Sequence, residues 1–550
     1  MKSSLKIFKV VLTLVLLILP DIFSQSISKE NISSAEKIIG LEFTDAERDS
    51  MLGNLEEQLK NYENIRKIEL ANSVPPAIDF NPIPVGFVFP KDQKEIKFSN
   101  YSHVKLPANK NDLAFFSIGE LAELIRTKKI TSTELTKFFI DRLKKYDPVL
   151  HCVITLTEKR ALDQAKKMDE EIASGKYRGL LHGIPFGVKD LLATKDYKTT
   201  WGAMPYKDQL IDEDATVVKK LENAGAVLCA KLSMGALAWG DVWFGGKTRN
   251  PWDTTQGSSG SSAGSASSVS AGLLPFAIGT ETYGSIVSPS TVCGTTGLRP
   301  TYGRVNRTGA MALSWSMDKI GPICRTAEDL AIVFNAIHGL DDVDQTLYDV
   351  PFNYNPEINL KELKVGYLKS DFDKQYDFHI NDSLTLAKLK ELGVKLIPVE
   401  LPKFPVNDLA IILSAEAGAA FDDLTRSNRD NLLVRQIKNA WPNVFRASRF
   451  IPAVEYINAN RVRYLLIQEM KKLMDEFDII IAPSWEGDSS ILTNLSGHPC
   501  VVLPNGFSKS GTPTSITFLG RLFDEGRLIT FAKAYQDATD FHKKHPSLFK

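Results

Sequence analysis

Cysteine is scarce. The chain has five in 550 residues (Cys152, Cys229, Cys293, Cys324 and Cys500) and no Cys-x-x-Cys pair. So sparse and odd a set excludes a disulfide framework and a cysteine zinc site, and reads instead as small buried apolar residues. Histidine is nearly as rare at eight, and its one close pair, His542 and His545, falls in a charged C-terminal tail, so no metal is expected. Charge of either sign has no excess: 66 Lys plus Arg stand against 66 Asp plus Glu. That balance removes the electrostatic footprint of a nucleic-acid binder and leaves small uncharged or mixed partners. The apolar run at 10–19, behind Lys2, Lys6 and Lys9 and ahead of Pro20, is shorter than the roughly 20 residues that span a bilayer. It has the pattern of a secretory signal peptide ending at Ser24, which predicts export (periplasmic or secreted) with no stable membrane anchor. A repeat of fixed period and a long linker are missing too, which favours one large domain with additions.

What is present alternates. Residues 33–70 carry Ile38, Ile39, Met51, Leu52, Leu55 and Leu59 at helical spacings, predicting two surface helices. Pro75, Pro76, Pro82, Pro84 and Pro90 forbid a helix over 72–90 and predict an extended arm. Thr131 with Glu134 makes a capping box ahead of Leu135, Phe138 and Phe139. Strand-like runs then occur at 151–156, 180–188, 226–232, 364–368, 396–399, 478–482, 501–503 and 515–519, with helical periods at 158–172, 216–223, 383–392 and 525–540. This predicts an α/β fold: a single large domain over 112–550, built on a mixed β-sheet flanked by helices on both sides. Ahead of it stand the signal peptide at 1–24 and an N-terminal helical extension with its Pro-rich arm at 25–111; further helices are expected within 407–474.

One tract, 257–301, breaks the chain's habits. It opens as dense Ser, Gly and Ala, turns apolar at 272–278, and holds Glu281 as the only charged residue between Asp253 and Arg299. A chain that is 24% charged does not leave such a tract in water, so its hydroxyls and amides line an interior site. Two motifs near it mislead. GDVWFGGKT at 240–248 resembles a phosphate-binding loop, but Asp241 stands where the pattern needs glycine. Gly260-Ser261-Ser262-Ala263-Gly264 satisfies G-x-S-x-G, which would make Ser262 the nucleophile of an α/β-hydrolase-type esterase, with His498 available on chain order alone. Chance matches are common in so Ser-rich a stretch.

GIPFGVKD at 183–190 is sharper. A lysine ending an apolar run ordinarily snorkels to the surface. A dry site can instead lower its pKa until the neutral amine serves as a base for a nearby hydroxyl. Together with NPWDTTQGSSGSSAGSASSVSAG at 250–272, GTETYGSIVSPSTVCGTTGLRPT at 279–301, LSWSMDKIGPICRTAEDL, NLSGHPCVVLPNGFSKSG and FLGRLFDEGRL, it resembles the amidase signature family over nearly the whole chain from about residue 112. The resemblance implies amide hydrolysis through a Ser-Ser-Lys triad: Lys189 as base, Ser261 after a cis Gly260-Ser261 bond as relay, and Ser285 as nucleophile. It also implies backbone oxyanion donors at Thr282, Tyr283, Gly284 and Ser285, and no cofactor.

The sequence departs from the family's commoner D-T-G-G-S-I-R at Glu281, Tyr283 and Val287. Glu281 must therefore find another partner than the missing arginine or sit near water, and Glu281 and Ser262 are candidates for the substrate-pocket wall. The expected partner is a small-molecule or peptide amide, the assembly a monomer or homodimer. The alternative with the same signature is a glutamine-hydrolysing subunit of a tRNA-dependent amidotransferase, which a signal peptide argues against.

Overall fold

Apolar runs too short for helices become the strands of one sheet in the computed structural model, which describes residues 27–341 and 343–550. The expected signal peptide lies outside the described residues. The strands are β1 (Val153–Leu156), β2 (Pro185–Lys189), β3 (Val227–Leu232), β4 (Phe276–Glu281), β5 (Thr296–Arg299), β6 (Lys319–Cys324), β7 (Val365–Leu368), β8 (Leu396–Val399), β9 (Ile479–Pro483), β10 (Cys500–Phe507) and β11 (Pro513–Gly520). Their spatial order is β1-β3-β2-β4-β6-β5-β10-β11-β9-β7-β8. The sheet is mixed, as expected. β3, β2 and β4 run parallel, as do β9, β7 and β8, and the pairs from β4 through β11 to β9 are antiparallel.

Both faces are covered. Phe276 and Ile278 of β4 enter one apolar core while Ala277 enters another, the alternation of a strand buried on two sides. Phe186 of β2 stacks on Phe276 with ring centroids 5.4 Å apart, fixing the register of the two strands that matter most here. The helices include α1 (Lys29–Ile39), α2 (Asp45–Ile65), α3 (Ser132–Leu150), α4 (Glu158–Ala173), α5 (Thr216–Asn223), α6 (Ala263–Ser270), α7 (Val287–Cys293), α8 (His379–Glu391), α9 (Ala453–Glu476), α10 (Ser489–Ser496) and α11 (Glu525–Asp537), of which periodicity does not predict α6, α7 and α10. The capping box at α3 forms, with Thr131 N–H donating to Glu134 Oε2 at 2.9 Å and Glu134 N–H to Thr131 Oγ1 at 3.0 Å. α4 packs on β3, α6 on β4 and α11 on β10. Further helices occupy the stretch between β8 and β9, as the sequence predicts.

The chain divides after Ala71. In the first unit α1 and α2 are joined by a forked contact, Arg48 Nε and Nη2 donating to Glu36 Oε1 and Oε2 at 2.8 and 2.7 Å. The Pro-rich arm from Asn72 belongs to the second, larger unit. Its side chains tie it there, since Asn72 bonds to Ala312 and Phe80 packs on Tyr302. All five cysteines are buried and free. No helix among the described residues is long and apolar enough to cross a membrane.

Candidate active site

β2 and β4 are parallel neighbours, with Phe186, Gly187 and Val188 opposite Phe276, Ala277 and Ile278, so their C-terminal ends emerge side by side. Lys189 is the last residue of β2 and Thr280 the penultimate residue of β4. The lysine is completely buried. Its Nζ lies 2.7 Å from Ser261 Oγ, 2.9 Å from Thr280 Oγ1, 3.2 Å from Ser262 Oγ and 3.4 Å from Thr280 O. Burial lowers its pKa to about 7 despite the opposing pull of the Asp318 and Glu281 carboxylates. An amine poised near neutrality, beside a hydroxyl at hydrogen-bond distance, is what a general base requires.

Ser261 follows a cis Gly260–Ser261 peptide and lies just ahead of α6. Glycine is needed at 260 because a Cβ there would collide with the Gly240 carbonyl. Ser285 sits on the loop between β4 and α7, tied to the serine tract by Ser262 N–H donating to its carbonyl at 3.1 Å. Gly284 takes a left-handed φ of 83°, which turns the loop. The space beside it is open, Ser490 Oγ being 3.9 Å from an added Cβ, so conformation rather than crowding selects glycine. Among the described residues, no protein group accepts from the N–H groups of Thr282, Tyr283, Gly284 and Ser285. Those N–H groups are free to hold a developing oxyanion, a role worth about 3 kcal/mol per donor in related chemistry.

Glu281 and Ser262, candidates for the pocket wall, are both fully buried. Ser262 is fully buried, its hydroxyl accepting from Thr280 N–H at 3.1 Å and donating to Thr280 O at 3.0 Å. A nucleophile elbow is not assembled around it: the ring of His498 is also buried and meets Ser496 Oγ at 2.9 Å. Glu281 has no exposure. One carboxylate oxygen accepts from the N–H groups of Ile286 and Val287 at 2.8 and 3.0 Å, and the other from Arg299 Nη1 at 2.8 Å and Asn494 Nδ2 at 2.9 Å. Burial pushes this carboxyl up, but Arg299 and these donors outweigh it and hold it at about 2. Arg299 is thus the replacement partner that the departure at Val287 demands, and it is held in turn by Thr493 Oγ1 and the His498 carbonyl.

Sequence reasoning missed Arg299, Asn494, Thr280 and Asp318 as parts of this site. A signal existed for Arg299, the next charge in the chain after Glu281. None existed for Asp318, which accepts from Thr282 Oγ1 at 2.5 Å and from Leu313 and Ser314 N–H at 2.8 and 2.9 Å, steadying the start of the loop that leads to Ser285. Tyr283 is 44% exposed, so its ring borders the open side of the loop that carries Ser285. A cavity of about 570 Å³ is lined in part by Thr280 and Thr282, the former bonded to Lys189. A larger groove of about 950 Å³, lined by Lys91, Asp475 and Arg527, is bordered by none of these residues.

Known proteins share this arrangement of the chain. The amidase family model matches residues 134–488. A glutamyl-tRNA(Gln) amidotransferase subunit of Coxiella burnetii is 34% identical over 480 residues, covering 78% of this chain and 99% of the relative. Among solved structures, the peptide amidase of Stenotrophomonas maltophilia is 28% identical with a TM-score of 0.70, covering 78% of this chain and 98% of its own. An amidase family protein of Bacillus anthracis is 28% identical with a TM-score of 0.71, covering 79% and 93%.

Proposed function

Given that the chain belongs to the amidase family and is a hydrolase of carbon–nitrogen amide bonds, we propose that it cleaves a small or peptide-like amide on its own, through a Ser285 acyl-enzyme. The observation that carries the reading is the buried Lys189 amine, 2.7 Å from Ser261 Oγ with its pKa near neutrality. Neutral Lys189 takes the Ser261 proton, Ser261 takes that of Ser285, and Ser285 Oγ bonds to the amide carbon. The carbonyl electron pair moves onto oxygen, where the N–H groups at 282–285 receive it. As the tetrahedral adduct collapses, the C–N bond breaks and the proton returns along the relay to the leaving amine. Water, activated by the same relay, then releases the acid and restores Ser285.

A second reading, a glutamine-hydrolysing subunit, is favoured by the 34% match to nearly the full length of the glutamyl-tRNA(Gln) amidotransferase relative. Cavity chemistry argues for the first. Glutamine brings an α-carboxylate, and the two cations lining the cavity are already engaged. Arg307 donates to Trp315 O, Tyr302 OH and Thr346 Oγ1 and pairs with Asp344, while burial drives Lys319 well below its ordinary pKa and its amine donates to Met317 O. An uncharged or cationic amide suits such a cavity better.

The test is hydrolysis by the purified chain of aliphatic, aryl, amino-acid and C-terminal peptide amides, with and without glutamine, ATP and tRNA. Turnover of simple amides alone supports the first reading; turnover of glutamine only, and only with a partner, replaces it with the second. Export, the reading of residues 1–24, separates the two further and is checked by sequencing the N-terminus of the mature protein.

A further inference from the structure

We propose that residues 72–80 form the roof of the substrate cavity and determine which amides the enzyme prefers, an inference that rests on the amidase reading above. The segment is a strap tied at two points. At one end the Asn72 carboxamide pairs with the backbone of Ala312 in both directions: Nδ2 donates to Ala312 O at 2.9 Å, and Ala312 N–H donates to Oδ1 at 2.7 Å. The same Nδ2 reaches Ala420 O at 3.3 Å. A side chain here takes the place of a neighbouring strand. At the other end the Phe80 ring carries the Arg463 guanidinium 3.5 Å from its centroid and meets Tyr302 edge-on at 5.0 Å. Arg463 is itself immobilised, donating to Leu495 O at 2.6 Å and to Ser316 Oγ and O at 2.8 and 2.9 Å.

Between these anchors residues 73–79 make no hydrogen bond among the described residues. Pro75 and Pro76 fix φ near −65° and stiffen the span. The cavity of about 570 Å³ is lined by Pro75, Ala77 and Ile78 of this strap and by Thr280 and Thr282 of the catalytic wall. Thr280 is bonded to Lys189, and Thr282 opens the oxyanion loop. A substrate whose amide lies at Thr282 therefore extends its remaining atoms toward the strap. Ile78 is 82% exposed, an apolar side chain with no protein cover that a bound substrate would supply. Small amides complete their contacts at the catalytic wall; longer ones gain from the roof.

Two fluorophosphonates that phosphonylate Ser285, one with a short and one with a long apolar chain, test this on the full chain, alongside limited proteolysis. In Asn72→Ala the long-over-short ratio of labelling rate constants should fall about tenfold, the equivalent of about 1.4 kcal/mol, with faster cleavage inside 72–80. In Ile78→Asp, an exposed position whose change spares the fold, the ratio should fall at least fivefold without faster cleavage. A wild-type ratio in both variants, or a ratio that rises, overturns the roof while leaving the amidase reading intact. Absence of any Ser285 labelling in the native protein overturns the amidase reading and this inference with it.

Discussion

Lys189→Met separates two consequences of one buried amine. The substitution keeps an unbranched side chain of similar volume but removes the base, so amide turnover should fall by roughly 10²- to 10⁴-fold. Its effect on stability has the opposite sign near neutrality. In the unfolded chain a lysine titrates near 10.5, whereas burial holds Lys189 at about 7. Between those values the unfolded chain binds a proton that the native protein does not. Native stability therefore rises with pH across that window by about 1.4 kcal/mol per pH unit. At pH 7 the interval of roughly 3.5 pH units withholds about 5 kcal/mol from the folded state. Methionine escapes that cost but leaves Ser261 Oγ, Ser262 Oγ and Thr280 Oγ1 each short of one partner, at about 1 kcal/mol apiece. The variant should thus be more stable than the native protein by about 2 kcal/mol at pH 7, equal to it between about pH 8 and 9, and less stable at pH 10. Urea unfolding at four pH values measures the difference. A stability difference that stays constant from pH 7 to 10 would show that the native amine is protonated throughout, and the lysine relay would be refuted.

Other outcomes follow from the same geometry. kcat/KM should climb with pH through a midpoint of about 7 and then level, and Asp318→Asn, by removing the carboxylate that most raises Lys189, should move that midpoint down; a midpoint unmoved or moved up counts against the assignment. Glu281→Ala strands the buried Arg299 charge and should cost about 3–5 kcal/mol in urea unfolding. Because the Glu281 carboxyl is held at about 2 against an ordinary 4.5, its stabilising contribution is complete above the ordinary value and lost as pH falls toward 2, so Glu281→Gln should flatten the acid limb of the stability curve. Mass spectrometry after fluorophosphonate treatment should find the label on Ser285, absent in Ser285→Ala and retained in Ser262→Ala; the reverse pattern restores the esterase reading.

How much of this was legible depends on how local each cause is. β2 is an apolar run ending in a lysine and α3 starts at a capping box, so both are visible in a few residues. α8 begins at His379, before the expected 383, because its start carries no side-chain cap to read. The serine tract announced an interior site through its missing charges, but the pairing of Glu281 with Arg299 depends on bringing two separate strands and α10 together in space. Asp318 and Thr282 meet across the β4–β6 pair, a relation no spacing in the sequence encodes. The strap was legible as extended from its prolines. Its place over the cavity was not, since that rests on Asn72 and Phe80 finding partners more than 200 residues away.

The parallel ladder of β2 and β4 has a consequence for how such an enzyme changes. Lys189 and the loop that carries Ser285 ride on adjacent strands, and the separation of those strands is the ordinary spacing of a sheet buried on both faces. Surface loops such as 207–213 can lengthen or be replaced without altering that spacing, whereas the segment at 258–262 that brings Ser261 to Lys189 cannot. In hydrogen exchange the amides of β2 and β4 should belong to the slowest class and those of 73–79 to the fastest. New substrates are therefore most readily reached by redesigning the strap at 72–80, while β2 and β4 beneath it are left unchanged.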